Sequence, residues 1–229
     1  MIFRQIFDAE SSTYTYLLAE RTGGQAMIID PVVDAVPQYL RLIDELNVRL
    51  VTAVDTHIHA DHITGLGALR DATACATAMG EQTRAECLSV RFRDGETLHV
   101  DALKLTAVHT PGHTDDSYSF VAADRVFTGD TLLIRGTGRT DFQNGDPAAQ
   151  YDSLFGKLLK LPEDMMVFPA HDYNGMTSST IREEKMYNPR LQVQSRAAYV
   201  AQMQALELAP PAKIDVAVPA NRACGKLAA

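Results

Sequence analysis

Twelve residues from Val54 to Gly65, VDTHIHADHITG, hold three histidines and two aspartates. Imidazole and carboxylate together are the donors of zinc, iron and manganese centres, and no cysteine interrupts them. In extended chain His57 and His59 point to one side, because side chains alternate with period two. Asp61 and His62 follow where the sequence begins to look helical. Such a loop can aim two groups at one point and two at a neighbouring point. Counting donors allows two metal ions or one.

The remaining donors fall in one kind of place. LVTAV runs into Asp55, Thr56 and His57; LKLTAV into HTPG and His113; RVFTG into Asp130; DMMVFPA into His171 and Asp172. Four apolar strands each end in a His or an Asp. Strand ends converge on one edge of a sheet, so donors far apart in sequence can meet. Five of the seven histidines (57, 59, 62, 113 and 171) belong to this set. A donor set without thiolate suits an open, catalytic centre rather than a closed structural zinc site. His99 and His109 stand outside it and are expected to be structural.

The positioning elements are legible around these donors. STYTYLLAE and GQAMIIDP read as two strands about a turn at residues 21–24. Pro37 opens a helix with Val36, Leu40, Ile43 and Leu46 on one face. RLVTAVDT, LKLTAVHTPG, SYSFVAA, RVFTGD and DMMVFPA are further strands. AAQYDSLFGKLLKL reads as a helix burying Tyr151, Leu154, Phe155 and Leu158. LQVQSRAAYVAQMQAL is another, with Val193, Ala197, Val200 and Met203 in register, and APPAK breaks it. The order strand, helix, strand predicts α/β layers. No long Pro/Gly/Ser linker marks a boundary, so a single domain over residues 1–229 is expected.

Bulk properties narrow the partners. The 229 residues carry a net charge of -8, and no basic field exists to hold nucleic acid or an anionic membrane. The N-terminal MIFRQIFDAESSTYTYLLAE shows no charged region followed by a long apolar one, so neither a secretory signal nor a membrane span is expected. Three cysteines, with no close pair, do not resemble a disulfide framework. A reducing, cytoplasmic setting follows, with Cys75, Cys87 and Cys224 as packing residues.

THIHADH, PGHT, TGD and PAHD together resemble the metallo-β-lactamase superfamily, whose pattern is H-x-H-x-D-H followed by a distant His, Asp and His. The resemblance covers nearly the whole chain. It implies the αββα sandwich with metal at the sheet edge. For a two-metal member it implies His57, His59 and His113 on one ion, Asp61, His62 and His171 on the other, and Asp130 between them. Four further stretches are similar to the persulfide dioxygenases of that superfamily: the Ile-Thr-Gly after Asp61–His62, GDTLLIRGTGRTDFQNGD, PAHDYNGMTSSTIREEKMYNPRL and IDVAVPANRACG.

That finer resemblance implies a non-haem iron enzyme. One Fe(II) per chain would be held by His57, His113 and Asp130. A facial triad of this kind leaves positions open for substrate and O₂. His59, Asp61, His62, His171 and Asp172 would be neighbours that bond the ligands and tune the metal. Glutathione persulfide would be oxidised with O₂ and water to sulfite and glutathione. Its carboxylates need donors, and Arg139, Tyr173, Asn188 and Arg190 are the expected substrate-binding residues. A homodimer is typical of the family. No rhodanese domain is fused here, so a sulfurtransferase partner would be a separate protein. The alternative is a dinuclear zinc hydroxyacylglutathione hydrolase, a glyoxalase II-like thioesterase, which the seven-donor spacing also permits.

Overall fold

The computed structural model describes residues 1–226; residues 227–229, the last of the expected domain, lie outside the described part. The chain divides into two compact units: residues 1–92, 97–104 and the segment from 210 onward form the first, residues 93–96 and 105–209 the second. Each carries its own hydrophobic core.

The first unit opens with β1 (Ile2–Asp8), β2 (Thr13–Ala19) and β3 (Gln25–Ile29), paired antiparallel in turn. α1 (Val36–Glu45) leads to β4 (Arg49–Val54), and α2 (Leu66–Thr73) to β5 (Ala76–Gly80) and β6 (Val90–Phe92). From β3 onward the neighbours are parallel, and the sheet order is β1 to β6 in sequence. β7 (Thr97–Val100) also belongs to this unit. The sequence explains the shift from antiparallel to parallel: a short turn joins β2 and β3, whereas a helix intervenes before β4. Tyr39 and Ile43 of α1 and Leu66 and Leu69 of α2 pack with Leu17, Ile28, Leu50 and Ala53. All seven β2 residues are buried, Thr13 and Thr15 included, so burial does not alternate along the strand.

The second unit contains β8 (Leu103–His109, entering it at Leu105), β9 (Tyr118–Val121) and β10 (Arg125–Gly129), joined antiparallel. α3 (Pro147–Gly156) then leads to β11 (Met166–Pro169), parallel to β10, and to β12 (Ser179–Thr180). α4 (Ile181–Tyr187) and α5 (Arg196–Gln204) complete it. The helix expected to run on through Leu158 ends at Gly156: Leu154 is buried on α3, Leu158 in the 3-10 turn Leu158–Lys160 that follows, and Tyr151 and Phe155 pack against the same cluster. On α5 the buried residues are Tyr199 and Met203; Ala197 is exposed. Ser195 caps the helix by accepting from the Ala198 amide at 3.2 Å. The inward face is therefore the Tyr199–Met203 pair, one i,i+4 step, rather than the expected longer row.

The chain returns to the first unit in α6 (Ile214–Arg222). There the expectation for the cysteines fails. Cys87, between β5 and β6, is bonded to Cys224, just past α6, with Cα atoms 5.9 Å apart. They lie 137 positions apart in sequence, so spacing carries no hint of the pair. Only Cys75 is a free, buried cysteine among the described residues. In the chain-entropy picture a cross-link over that separation stabilises by about 5 kcal/mol. The odd count therefore does not speak for a reducing compartment. Among the described residues no helix is long and apolar enough to cross a membrane.

Candidate metal centre

Parallel pairing explains why donors gather in each unit. In the first, Ile29 lies opposite Val54, the last residue of β4, so β3 and β4 end together. Asp30 and the donor loop leave the sheet side by side, tied by the Asp30 amide donating to the Val54 carbonyl at 2.9 Å. In the second, Gly129 lies opposite Pro169, so β10 and β11 also end together. Asp130 and His171 follow at once, and the Ala170 amide donates to the Gly129 carbonyl at 3.0 Å.

In the first unit His57, His59 and His62 are all buried. Their rings succeed one another at centroid distances of 4.2 Å (His57 to His59) and 4.3 Å (His59 to His62). Asp30 organises them from a left-handed backbone position, φ 51°. Its carboxylate accepts from the Thr56 amide at 2.7 Å, the Thr56 hydroxyl at 3.0 Å and His59 Nε2 at 3.1 Å. The Thr56 hydroxyl proton is thus committed to Asp30, and its oxygen accepts from His57 Nδ1 at 2.9 Å. This fixes the His57 tautomer with the lone pair on Nε2. Burial alone would lower the His59 pKa, but Asp30, with Asp55 and Asp61 behind it, outweighs burial and raises it to about 9. Asp61 and His62 bond each other at 2.8 Å, and the Thr13 hydroxyl donates to Asp61 at 3.2 Å.

Asn221 of α6 holds this loop from behind. Its amide nitrogen donates to the carbonyls of His59 (2.9 Å) and His62 (2.8 Å), and its oxygen accepts from the Thr64 amide at 2.8 Å. The Gly67 amide, in the first turn of α2, donates to the Cys224 carbonyl at 3.0 Å.

In the second unit His113, Asp130 and His171 form a chain. His171 Nδ1 donates to Asp130 Oδ1 at 2.7 Å, and Asp130 Oδ2 lies 3.5 Å from His113 Nε2. His113 Nδ1 donates to the Arg139 carbonyl at 2.7 Å, which again leaves the lone pair on Nε2. Two ligand atoms about 2.1 Å from one ion stand roughly 3.0–3.5 Å apart. The His113–Asp130 pair has that spacing. Glycine makes the approach possible. A Cβ on Gly138 would lie 2.8–2.9 Å from the His113 ring and would overlap the Asp130 carbonyl. Gly112, at φ 138°, would drive a Cβ into the Gln150 backbone.

The donors fit a nitrogen-and-oxygen-bound metal such as Fe(II). The cysteines are bonded or buried elsewhere, and the tautomers of His57 and His113 present Nε2. His59 Nδ1 is buried without a hydrogen-bond partner, the state expected of a nitrogen left for a group that protein atoms do not supply. Within the first unit, donor atoms of His59, Asp61 and His62 come within 4.8 Å of one another, as do those of Asp30, Asp55 and His59.

The other expected residues divide. Tyr173 is 70% exposed and stacks on His171 at 6.1 Å. Arg190 is half-buried and donates to the Thr137 carbonyl and hydroxyl. Arg139 is spent on its own fold: it clamps Asp141 with two bonds of 2.7 Å and donates to the Leu208 and Ala209 carbonyls. Asn188 is fully buried and donates to the Gly136 carbonyl at 2.9 Å and to Glu184 at 2.8 Å. Asp172 caps a loop by accepting from the amides of Asn174 (2.8 Å) and Met176 (2.7 Å). His109 bonds the Asp115 carbonyl at 3.0 Å and packs on Tyr118, a structural role as expected. Sequence reading missed Asp30, Thr56, Gly138 and Asn221. Only Asp30 had a signal, since GQAMIIDP is one more apolar strand ending in an Asp.

Residues 9–171 match the family model of the Metallo-beta-lactamase superfamily. The human "Persulfide dioxygenase ETHE1, mitochondrial" is 44% identical over 228 residues, covering 98% of this chain and 89% of that protein. The crystal structure of ETHE1 from Myxococcus xanthus is 50% identical, covers 99% of this chain and 100% of its own, and superposes with a TM-score of 0.96. A metallo-beta-lactamase from Staphylococcus aureus subsp. aureus COL, 25% identical, gives 0.91 over 100% of this chain and 74% of its own.

Proposed function

The chain belongs to the metallo-beta-lactamase superfamily, and from that premise we propose that it is a persulfide dioxygenase that works with one Fe(II) on glutathione persulfide. The α/β fold expected from the sequence is that of the superfamily. The near-full-length relatives, 42–44% identical, carry the persulfide dioxygenase name. They favour this activity over the thioester hydrolase.

The observation that carries the single-ion reading is the His171–Asp130–His113 chain. One Asp130 oxygen is engaged by His171 and the other turns to His113. As the family resemblance implies, His57, His113 and Asp130 would hold the ion. When bound, Fe(II) supplies open positions where a persulfide sulfur and O₂ can be brought together. The protein's share is to fix the two imidazole tautomers through Thr56 and the Arg139 carbonyl, and to hold Asp130 through His171. His59, seated on Asp30, would turn Nδ1 to a water or substrate atom, and the Asp61–His62 pair would stay on the protein. Sulfur ends as sulfite and the thiol as glutathione, with both O₂ atoms and one water oxygen accounted for.

Tyr173 and Arg190 remain the substrate-binding candidates. Asn188 and Arg139 would act by shaping the loops around them. A homodimer, a separate sulfurtransferase and a cytoplasmic location belong to the same proposal. The mammalian relatives are named mitochondrial, so fractionation of the source cells decides the compartment. An oxygen electrode with glutathione persulfide, beside metal analysis, tests the core. O₂ uptake, sulfite and about one iron per chain are expected. Two zincs per chain, thioester hydrolysis and no O₂ uptake would overturn it. Asp130→Ala should lose both iron and activity.

A further inference from the structure

The disulfide ends on the element that grips the donor loop. Cys224 is buried and follows Asn221 by three residues; Cys87 is half-buried in the loop between β5 and β6. Asn221 makes three hydrogen bonds to the segment from His59 to Thr64, and the Cys224 carbonyl takes the Gly67 amide. The Glu86 amide, beside Cys87, donates to the Arg222 carbonyl at 3.0 Å, and Arg70 of α2 donates to the Cys87 carbonyl at 2.9 Å. The covalent bond, α6, α2 and the donor loop are therefore one tied unit. The remaining ties are individual hydrogen bonds and the packing of Cys224 with Leu66 and Leu69, each weak beside a covalent link.

We propose that Cys87–Cys224 is a thiol–disulfide exchange site for small thiols such as glutathione, and that its state sets how firmly Asn221 holds the donor loop. Cys87 is the less buried of the two cysteines. A thiolate attacks Cys87 Sγ, the sulfur–sulfur bond breaks, and the electron pair leaves on Cys224 Sγ. A second thiolate then attacks the small thiol's sulfur in that mixed disulfide, and the electron pair leaves on Cys87 Sγ. The result is one small-molecule disulfide and two protein thiolates, which take protons from water. Two small thiols are oxidised and one protein disulfide is reduced. Once the bond is open, Cys224 is held by the Gly67 amide and by its packing in the core of the first unit, and Asn221 can part from the loop. A disulfide is exchangeable where a small thiol can reach one of its sulfurs, and the half-buried Cys87 is the side of approach.

The test is independent of the dioxygenase reading, because it follows the sulfurs and the loop amides rather than turnover. The metal-loaded full chain is equilibrated in buffers of graded glutathione to glutathione-disulfide ratio. Alkylation with mass spectrometry reports the Cys87–Cys224 state, and hydrogen–deuterium exchange reports the amides of Thr64 and Gly67. Reversible reduction without denaturant is expected, with exchange at these two amides rising about tenfold. Cys87→Ser should exchange like the reduced chain and ignore the glutathione ratio. A disulfide that resists glutathione, cysteines that are free thiols in the oxidised chain, or exchange identical in both states would each overturn the proposal.

Discussion

The two units hold their donors by different means. In the first, side chains do the holding: Asp30, Thr56 and Asn221 bond to the loop and to its rings, and a disulfide secures the last of them. In the second, the backbone does more of it, beside the His171 bond to Asp130. The Arg139 carbonyl sets His113, and Gly138 lets that ring and the Asp130 backbone come close. A donor fixed by side-chain bonds loosens in steps as bonds are removed. A donor fixed by the absence of a Cβ tolerates no added atom, because packed interiors cannot absorb one without shifting.

Gly138→Ala should therefore be the most damaging test of the contrast. The new methyl must displace the Asp130 backbone or the His113 ring, at a cost of about 3 kcal/mol or more. Denaturant melts and metal analysis should show lower stability and little retained iron. A Gly138→Ala chain that binds iron normally would end the steric account of the second unit. Asn221→Ala comes next. It leaves two carbonyls and one amide in a buried setting without their partner, worth about 2–3 kcal/mol. Its midpoint should fall and the Thr64 amide should exchange faster, with iron partly retained; an unchanged midpoint would mean that the loop does not depend on α6.

His62→Ala sharpens the division further. Because His62 is bonded to Asp61 in this reading, the variant should keep most of its iron while activity falls about tenfold. Loss of all metal would make His62 a ligand and the centre dinuclear. The smallest effect is expected at Asp94, away from the donors. Burial raises its pKa, but the His109 amide at 2.7 Å and the Lys157 ammonium at 3.3 Å more than reverse this, holding it below 3.8. A lowered acid contributes stability that is present above its unfolded value and is lost as pH falls through its folded one. Asp94→Asn should then cost less than about 1 kcal/mol near pH 7, and the gap should close in acid. A gap that widens in acid would reverse the sign of this account.

The long apolar strands were legible because burial on one or both faces requires runs such as TYTYLLA and LKLTAVH. β1 and β12 lie at sheet edges, β12 is two residues long, and neither carries such a run. α4 had a readable start: Thr180 and Glu183 have capping-box spacing, and the Thr180 hydroxyl accepts from the Glu183 amide at 3.1 Å. α6 did not, because Pro219 sits inside it and its buried residues, Ala217, Ala220 and Asn221, are small or polar. The seven candidate donors stand out by residue type, at strand ends and in the loop from His57 to His62. What holds them could not, since Asn221 grips a loop roughly 160 positions earlier, as the spacings of 157 to 162 residues record.

The bond between Cys87 and Cys224 also closes a ring in the chain, and residues 105–209 lie wholly inside that ring. One protease cut anywhere in that stretch leaves a single covalent molecule. On a denaturing gel the nicked protein would run as one band until a reductant is added, and only then as two. The same ring means that the second unit's segment cannot be lost from the first by a single break.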